Sequence, residues 1–179
     1  MRSSIVLLVP EADSIVRAVR LAHDPVAALG VDAHVTLLFP FVPAAQIDAA
    51  LVDRLRVELP HTAGIAGGVE LRLDRVARFP SASGASGVSY LALADPAPVI
   101  TAVRTLAAAW PAYPPYGGAF PDVIPHLTLG HGDDAALAAI EAAVAPALPI
   151  TARIDAATLL VEAADGRWSP HTRFALGLG

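Results

Sequence analysis

The tetrapeptide His34-Val35-Thr36-Leu37 returns 92 residues later as His126-Leu127-Thr128-Leu129. With six histidines, eight threonines and 22 leucines in 179 residues, chance yields about 0.03 copies of His-x-Thr-Leu against the two found. A strand projects residues i and i+2 from one face. Each copy therefore presents an imidazole and a hydroxyl together while Val35/Leu37 and Leu127/Leu129 turn into a core. A fold that suits this chain places two such strands where their polar faces meet.

Chain length and composition narrow the setting. A chain of this size buries roughly 70% of its unfolded surface as one domain or two small lobes sharing a core. The hydrophobic fraction of 55% owes much to 38 alanines, which point to Ala-filled helices. No apolar run approaches the ~20 residues of a membrane span, and the early run Ile5 to Val9 ends at Pro10-Glu11, too short for a secretory leader. A soluble, cytoplasmic monomer is expected. There are no cysteines, which excludes disulfides, thiolate nucleophiles and Cys-ligated zinc. A net charge of −5 argues against coating long nucleic acid but suits a small phosphorylated ligand.

Periodicity divides the chain into two similar halves, roughly 1–80 and 88–179. The first reads as a strand at Ile5 to Val9, a helix from Asp13 to His23, the His34 strand, a helix from Pro43 to Val57 and a strand from Val69 to Phe79. The second reads as a strand at Val88 to Leu93, a helix from Pro98 to Trp110, the His126 strand, a helix from Asp134 to Ala145 and a strand from Ile150 to Val161. Apolar stripes at Val99/Val103/Leu106 and Leu137/Ile140/Val144 support the helices. Ala18-Val19-Arg20 matches Ala102-Val103-Arg104, and Arg72-Leu73-Asp74 resembles Arg153-Ile154-Asp155. The segment Pro111 to Gly118 is a loop near the second motif, Ser81 to Gly87 a hairpin tip or linker, and Arg173 to Leu178 a final strand completing the second sheet. The expected architecture is α+β and bilobal. Two pseudo-symmetric lobes, each an antiparallel or mixed sheet with outer helices, would flank a central groove.

With His34-Val35-Thr36-Leu37-Leu38-Phe39-Pro40 and Pro125-His126-Leu127-Thr128-Leu129 in view, the chain resembles the two-histidine (2H) phosphoesterase superfamily. Within it the chain is similar to the 2'-5' RNA ligase and cyclic phosphodiesterase-like group, over nearly its whole length. The resemblance implies a bilobal fold with both motifs in a central cleft. It also implies metal-independent, cofactor-free action on 2',3'-cyclic phosphates, 2'-5' linkages or related nucleotides and RNA ends. His34 and His126 then correspond to the catalytic histidines, and Thr36 and Thr128 to hydroxyls that hold phosphate oxygens. Many relatives carry an arginine soon after the second motif where this chain has Gly130-His131, leaving that positive charge absent or supplied from elsewhere.

The chemistry suits the residues. Opening a cyclic phosphodiester needs a base to take a proton from water and an acid to protonate the departing sugar oxygen. Imidazoles with an ordinary pKa of ~6.5 serve both roles. The reverse reaction, attack by a sugar hydroxyl, is ligation. His131 is a further candidate phosphate contact, although i+5 from His126 falls on the opposite face of an ideal strand unless Gly130 introduces a bulge. Arg173, and less so Arg78, are candidate groove cations, Arg173 because its strand should lie near the centre of its sheet. Among Tyr113, Tyr116 and Phe120, Tyr116 is favoured to stack on a base. Phe39 and Phe79 read as core or groove floor. A zinc site from His34, His126 and His131 lacks the usual His-x-x-x-His or carboxylate company. The competing reading is a binding module that holds a nucleotide or RNA end in the same groove without turnover.

Overall fold

In a computed structural model, which describes residues 1–80 and 86–177, the chain begins with β1 (Ser3–Leu8), α1 (Pro10–His23) and the single turn α2 (Pro25–Ala28). Pro10 sits in the first turn of α1, where no N–H is needed, with Glu11 and Asp13 near the positive helix end and Arg20 and His23 in the last turn. The first motif strand, β2 (His34–Leu38), follows. The expected helix from Pro43 to Val57 is broken. A 3-10 turn covers Ala44–Gln46, and α3 (Ala49–Glu58) starts only after the Asp48 carboxylate accepts the Leu51 N–H. Asp48 thus caps a new helix rather than lying inside one.

After β3 (Val69–Phe79) and β4 (Gly87–Leu93) come α4 (Ala97–Ala109), the second motif strand β5 (His126–Gly132) and α5 (Asp134–Val144). The Asp133 carboxylate caps α5 by accepting from Ala136 N–H. The expected stripes Val99/Val103/Leu106 and Leu137/Ile140/Val144 are buried, as are Val35, Leu37, Leu127 and Leu129. Each such side chain contributes about 1.5–3 kcal/mol by leaving water. Most of the linker read at Ser81 to Gly87 lies outside the described residues, as does Leu178.

One expected strand, Ile150 to Val161, is two: β6 (Ile150–Ile154) and β7 (Ala156–Glu162), separated at Asp155. The break follows burial. In β6, Ile150, Ala152 and Ile154 are buried and alternate with exposed Thr151 and Arg153, whereas β7 is buried on both faces from Ala156 to Leu160. The chain ends with β8 (Trp168–Ala175).

Two wholly antiparallel four-stranded sheets result, ordered β2-β1-β7-β8 and β5-β4-β3-β6. β3, from the first half, lies in the second sheet, and β7 and β8, from the second half, lie in the first. The final strand therefore completes the first sheet and forms its edge, a correction to both its expected sheet and its expected central place. Helix α1 packs against β5, α4 against β2, and β2 touches β5. The two motif strands thus adjoin although they belong to different sheets.

Candidate active site

Both motif strands carry the same irregularity. Thr36 and Leu38 oppose the consecutive residues Val6 and Ile5, so Leu37 is the extra residue of a bulge. Thr128 and Gly130 likewise oppose Tyr90 and Ser89, leaving Leu129 extra. Beyond the second bulge, His131 pairs with Val88, and Val88, Tyr90 and Ala92 share one face of β4. The bulge thus turns exposed His131 onto the face that carries His126 and Thr128, as the sequence allowed only with a bulge. Gly130 faces the other way. A Cβ there would lie 2.4 Å from the His23 Cβ and 3.0 Å from the Ile140 Cδ1, so glycine is what lets α1 and α5 approach the strand.

The imidazoles are anchored alike. His34 Nδ1 lies 2.8 Å from the Asp32 carbonyl oxygen, and His126 Nδ1 lies 2.7 Å from that of Ile124. A carbonyl only accepts, so Nδ1 carries the hydrogen in each ring and Nε2 is the free basic nitrogen. Both rings are partly buried. Burial is the main reason the pKa of His34 falls to about 4. The Arg20 and His126 charges lower it further, while the Asp32 bond and Asp24 pull it back up. Burial also lowers His126, partly offset by its bond to Ile124. The strands that carry the two rings, β2 and β5, lie against each other.

The loop between α4 and β5 reaches the first motif. The Tyr116 N–H donates to the Phe39 carbonyl at 2.5 Å, and the Thr36 hydroxyl works against burial in setting the pKa of its phenol. Burial raises the Tyr116 pKa, which keeps the phenol protonated. Its backbone is left-handed, with φ at 53°, a conformation that costs a non-glycine residue of order 1 kcal/mol. Phe120 meets Tyr116 edge-on at 5.8 Å, whereas Tyr113 packs edge-on against Phe41 at 5.5 Å as a core anchor. Around the second motif, Phe79 stacks on Tyr90 at 4.1 Å, and both rings meet His126, at 4.9 and 5.2 Å. Phe39 instead joins a small apolar cluster with Val6, Leu160 and Trp168.

Two candidate cations lie elsewhere. Arg173 is on β8, at the opposite edge of the sheet from β2, and pairs with Asp155. Arg78 reaches Glu141 of α5 at 3.0 Å. Arg20 and Tyr90 escaped the sequence reading. Arg20 is 2% exposed and holds the Asp24 carboxylate at 2.7 Å. The available signal was its place in a buried stripe with Ala12 and Val16 at spacing four. Among the described residues, no group of three or more His, Asp or Glu side chains is arranged to hold a metal ion.

No curated protein matches the sequence. Solved structures do match across the fold. Escherichia coli LigT complexed with NADP+ is 21% identical, with a TM-score of 0.59, 99% of this chain and 98% of that one being covered. TT0787 of Thermus thermophilus is 17% identical, with a TM-score of 0.59 and 98% of each chain covered. Kluyveromyces marxianus Usb1 is 15% identical, with a TM-score of 0.55 and 98% of this chain and 97% of that one covered. The family model of the 2'-5' RNA ligase superfamily matches residues 8–166, a span that contains both motifs. Carrying the paired motifs on adjoining strands of a LigT-like fold, the chain belongs to the 2'-5' RNA ligase superfamily of two-histidine phosphoesterases.

Proposed function

We propose that the protein is a metal-independent phosphodiesterase. It opens 2',3'-cyclic phosphates, or cleaves and reforms 2'-5' linkages, on small nucleotides or RNA ends. The observation that carries this reading is the matched anchoring of His34 and His126, each with Nδ1 on the carbonyl two residues upstream and Nε2 left free. Two imidazoles on adjoining strands, each with Nε2 free, can serve as the base and the acid of an in-line displacement at phosphorus.

One ring takes a proton from water while the other, protonated, gives one to the departing sugar oxygen. Burial keeps both rings neutral in the free protein. The phosphodiester anion favours the charged form of a neighbouring imidazole, so one ring takes up a proton from solvent on binding. Thr36 and Thr128 hold the non-bridging oxygens, with the Tyr116 phenol beside Thr36. Phe79, stacked on the buried Tyr90, gives a base an aromatic face beside His126, and His131 extends the polar face along β5. LigT, a structural neighbour, has been crystallised with ATP, 3'-AMP and phosphate, which supports a nucleotide ligand here. Among the described residues no helix is long and apolar enough to cross a membrane. We place the enzyme in the cytoplasm, as a monomeric unit built from both halves.

The test is turnover of a 2',3'-cyclic mononucleotide panel by wild type, His34→Ala and His126→Ala, with EDTA throughout. Each substitution is expected to cost about 100 to 10,000-fold in kcat. Binding without turnover by wild type would replace the enzyme with a nucleotide-binding module.

A further inference from the structure

Arg20 neither gives nor takes a proton in these transfers, and its burial keeps it from touching a phosphate. Its guanidinium instead spans three pieces of chain. Nε donates to the Thr128 carbonyl at 3.1 Å, Nη1 to the Val31 carbonyl at 3.0 Å, and Nη2 to the Asp24 carboxylate at 2.7 Å. Nη1 also lies 3.9 Å from Asp13, whose carboxylate accepts the Ala33 N–H at 2.9 Å. Thr128 belongs to the second motif, and Val31 and Ala33 lead directly into the first.

β2 and β5 lie in different sheets, so no backbone ladder joins them. Their spacing rests on side-chain packing and on whatever bonds to both. Among the described residues, Arg20 is the side chain seen bonded to the backbone on both sides. Its planar fork, held by the buried Asp24, allows only one separation between the two carbonyls it grips. We propose that Arg20 is a positioning residue, holding the strands of His34 and His126 at the distance where both imidazoles reach one phosphate. The proposal rests on the two-histidine reading of the site.

Arg20→Met alone would leave Asp24 buried without its partner and destabilise the fold whatever Arg20 does. The informative variants are two. Arg20→Met/Asp24→Asn removes the ion pair together while Asn still caps the Val26 N–H that Asp24 accepts. Arg20→Lys keeps the charge beside Asp24 but cannot span both carbonyls. The measurement is nitrogen NMR of the two imidazoles during titration with inorganic phosphate, after a thermal melt establishes folding. In wild type, both Nε2 resonances should move along one saturation curve. In the folded variants phosphate should bind about tenfold or more weakly and the rings should follow separate curves, with a comparable loss in kcat. A folded variant whose rings still answer together at wild-type affinity overturns the proposal. A wild type whose rings answer phosphate separately overturns the two-histidine reading beneath it, and needs no variant to show it.

Discussion

Leu37 and Leu129 occupy the same place in the two motifs, and each is the extra residue of a bulge. Both are buried in one shared core. The repeat is therefore of backbone shape as well as of sequence. Truncating either side chain empties space behind a motif strand, and Leu129→Ala should cost about 2–5 kcal/mol. Urea midpoints at neutral pH would measure it, and a loss below about 1 kcal/mol would mean that the core closes over the gap.

Gly130→Ala places a methyl against the end of α1, where His23 presents a backbone carbon at 3.1 Å as well as its Cβ. Backbone cannot rotate aside as a side-chain tip can. A destabilisation of about 1–3 kcal/mol is expected, together with weaker activity because β5 itself is displaced. Equal stability and activity in the variant would show that α1 shifts freely.

Acid should weaken the fold through the histidines. Both have folded pKa values below the ordinary ~6.5 of the unfolded chain. Between that value and about 4 the unfolded state binds more protons than the native state does at His34. Stability is therefore fully present above pH ~6.5 and declines as pH falls, by up to about 1.4 kcal/mol per pH unit from His34 before levelling below its folded pKa. Denaturation midpoints at pH 7 and pH 5 in wild type and His34→Gln provide the check. The substitution should flatten the slope, and an unchanged slope would locate the acid sensitivity elsewhere.

The same displacement makes anion binding take up protons. A bound phosphate raises the imidazole pKa values, so its affinity should strengthen as pH drops from 8 toward 5, short of the acid transition. Calorimetry in two buffers of different ionisation heat would count the protons. Zero uptake at pH 7 would contradict the protonation of one ring on anion binding.

Tyr116→Phe removes one hydroxyl from a ring whose backbone stays fixed by the Phe39 carbonyl. Without the neighbouring phenol, Thr36 is expected to orient less well on bound phosphate, and kcat/KM should fall by about 5- to 15-fold, the size of a hydrogen bond of about 1–1.5 kcal/mol. Thermal stability should barely change. An unaffected kcat/KM would show that Thr36 orients without the phenol.

The motif strands, the helix stripes and the two-layer α+β order were legible because each rests on local periodicity. His-Val-Thr-Leu alternates as a strand must, and Leu137/Ile140/Val144 recur at helical spacing. The broken helix at Asp48 follows from a cap, a signal present in the sequence but outweighed by the apolar pattern around it. The switch at Asp155 was hidden because Ile150 to Val161 reads as one β-rich run, and which sheet a strand joins depends on partners far along the chain. Tyr116 was singled out for stacking, and what the sequence left hidden is that its N–H ties the loop to the Phe39 carbonyl just after the first motif. The bonds Arg20 makes were hidden for a related reason. Its partners are main-chain carbonyls, one of them 108 residues away, and a carbonyl has no identity in sequence.

The crossing of β3 into one sheet and of β7 and β8 into the other means that neither half of the chain owns a complete sheet. This is the layout of a domain-swapped dimer whose two copies have been joined end to end. Residues 1–80 alone would leave β1 without its β7 neighbour and β3 without β4, exposing open edges of the kind that capture other strands. Half of this protein is therefore an aggregation hazard rather than a smaller enzyme, and a chain interrupted midway during synthesis would depend on the missing half to become soluble.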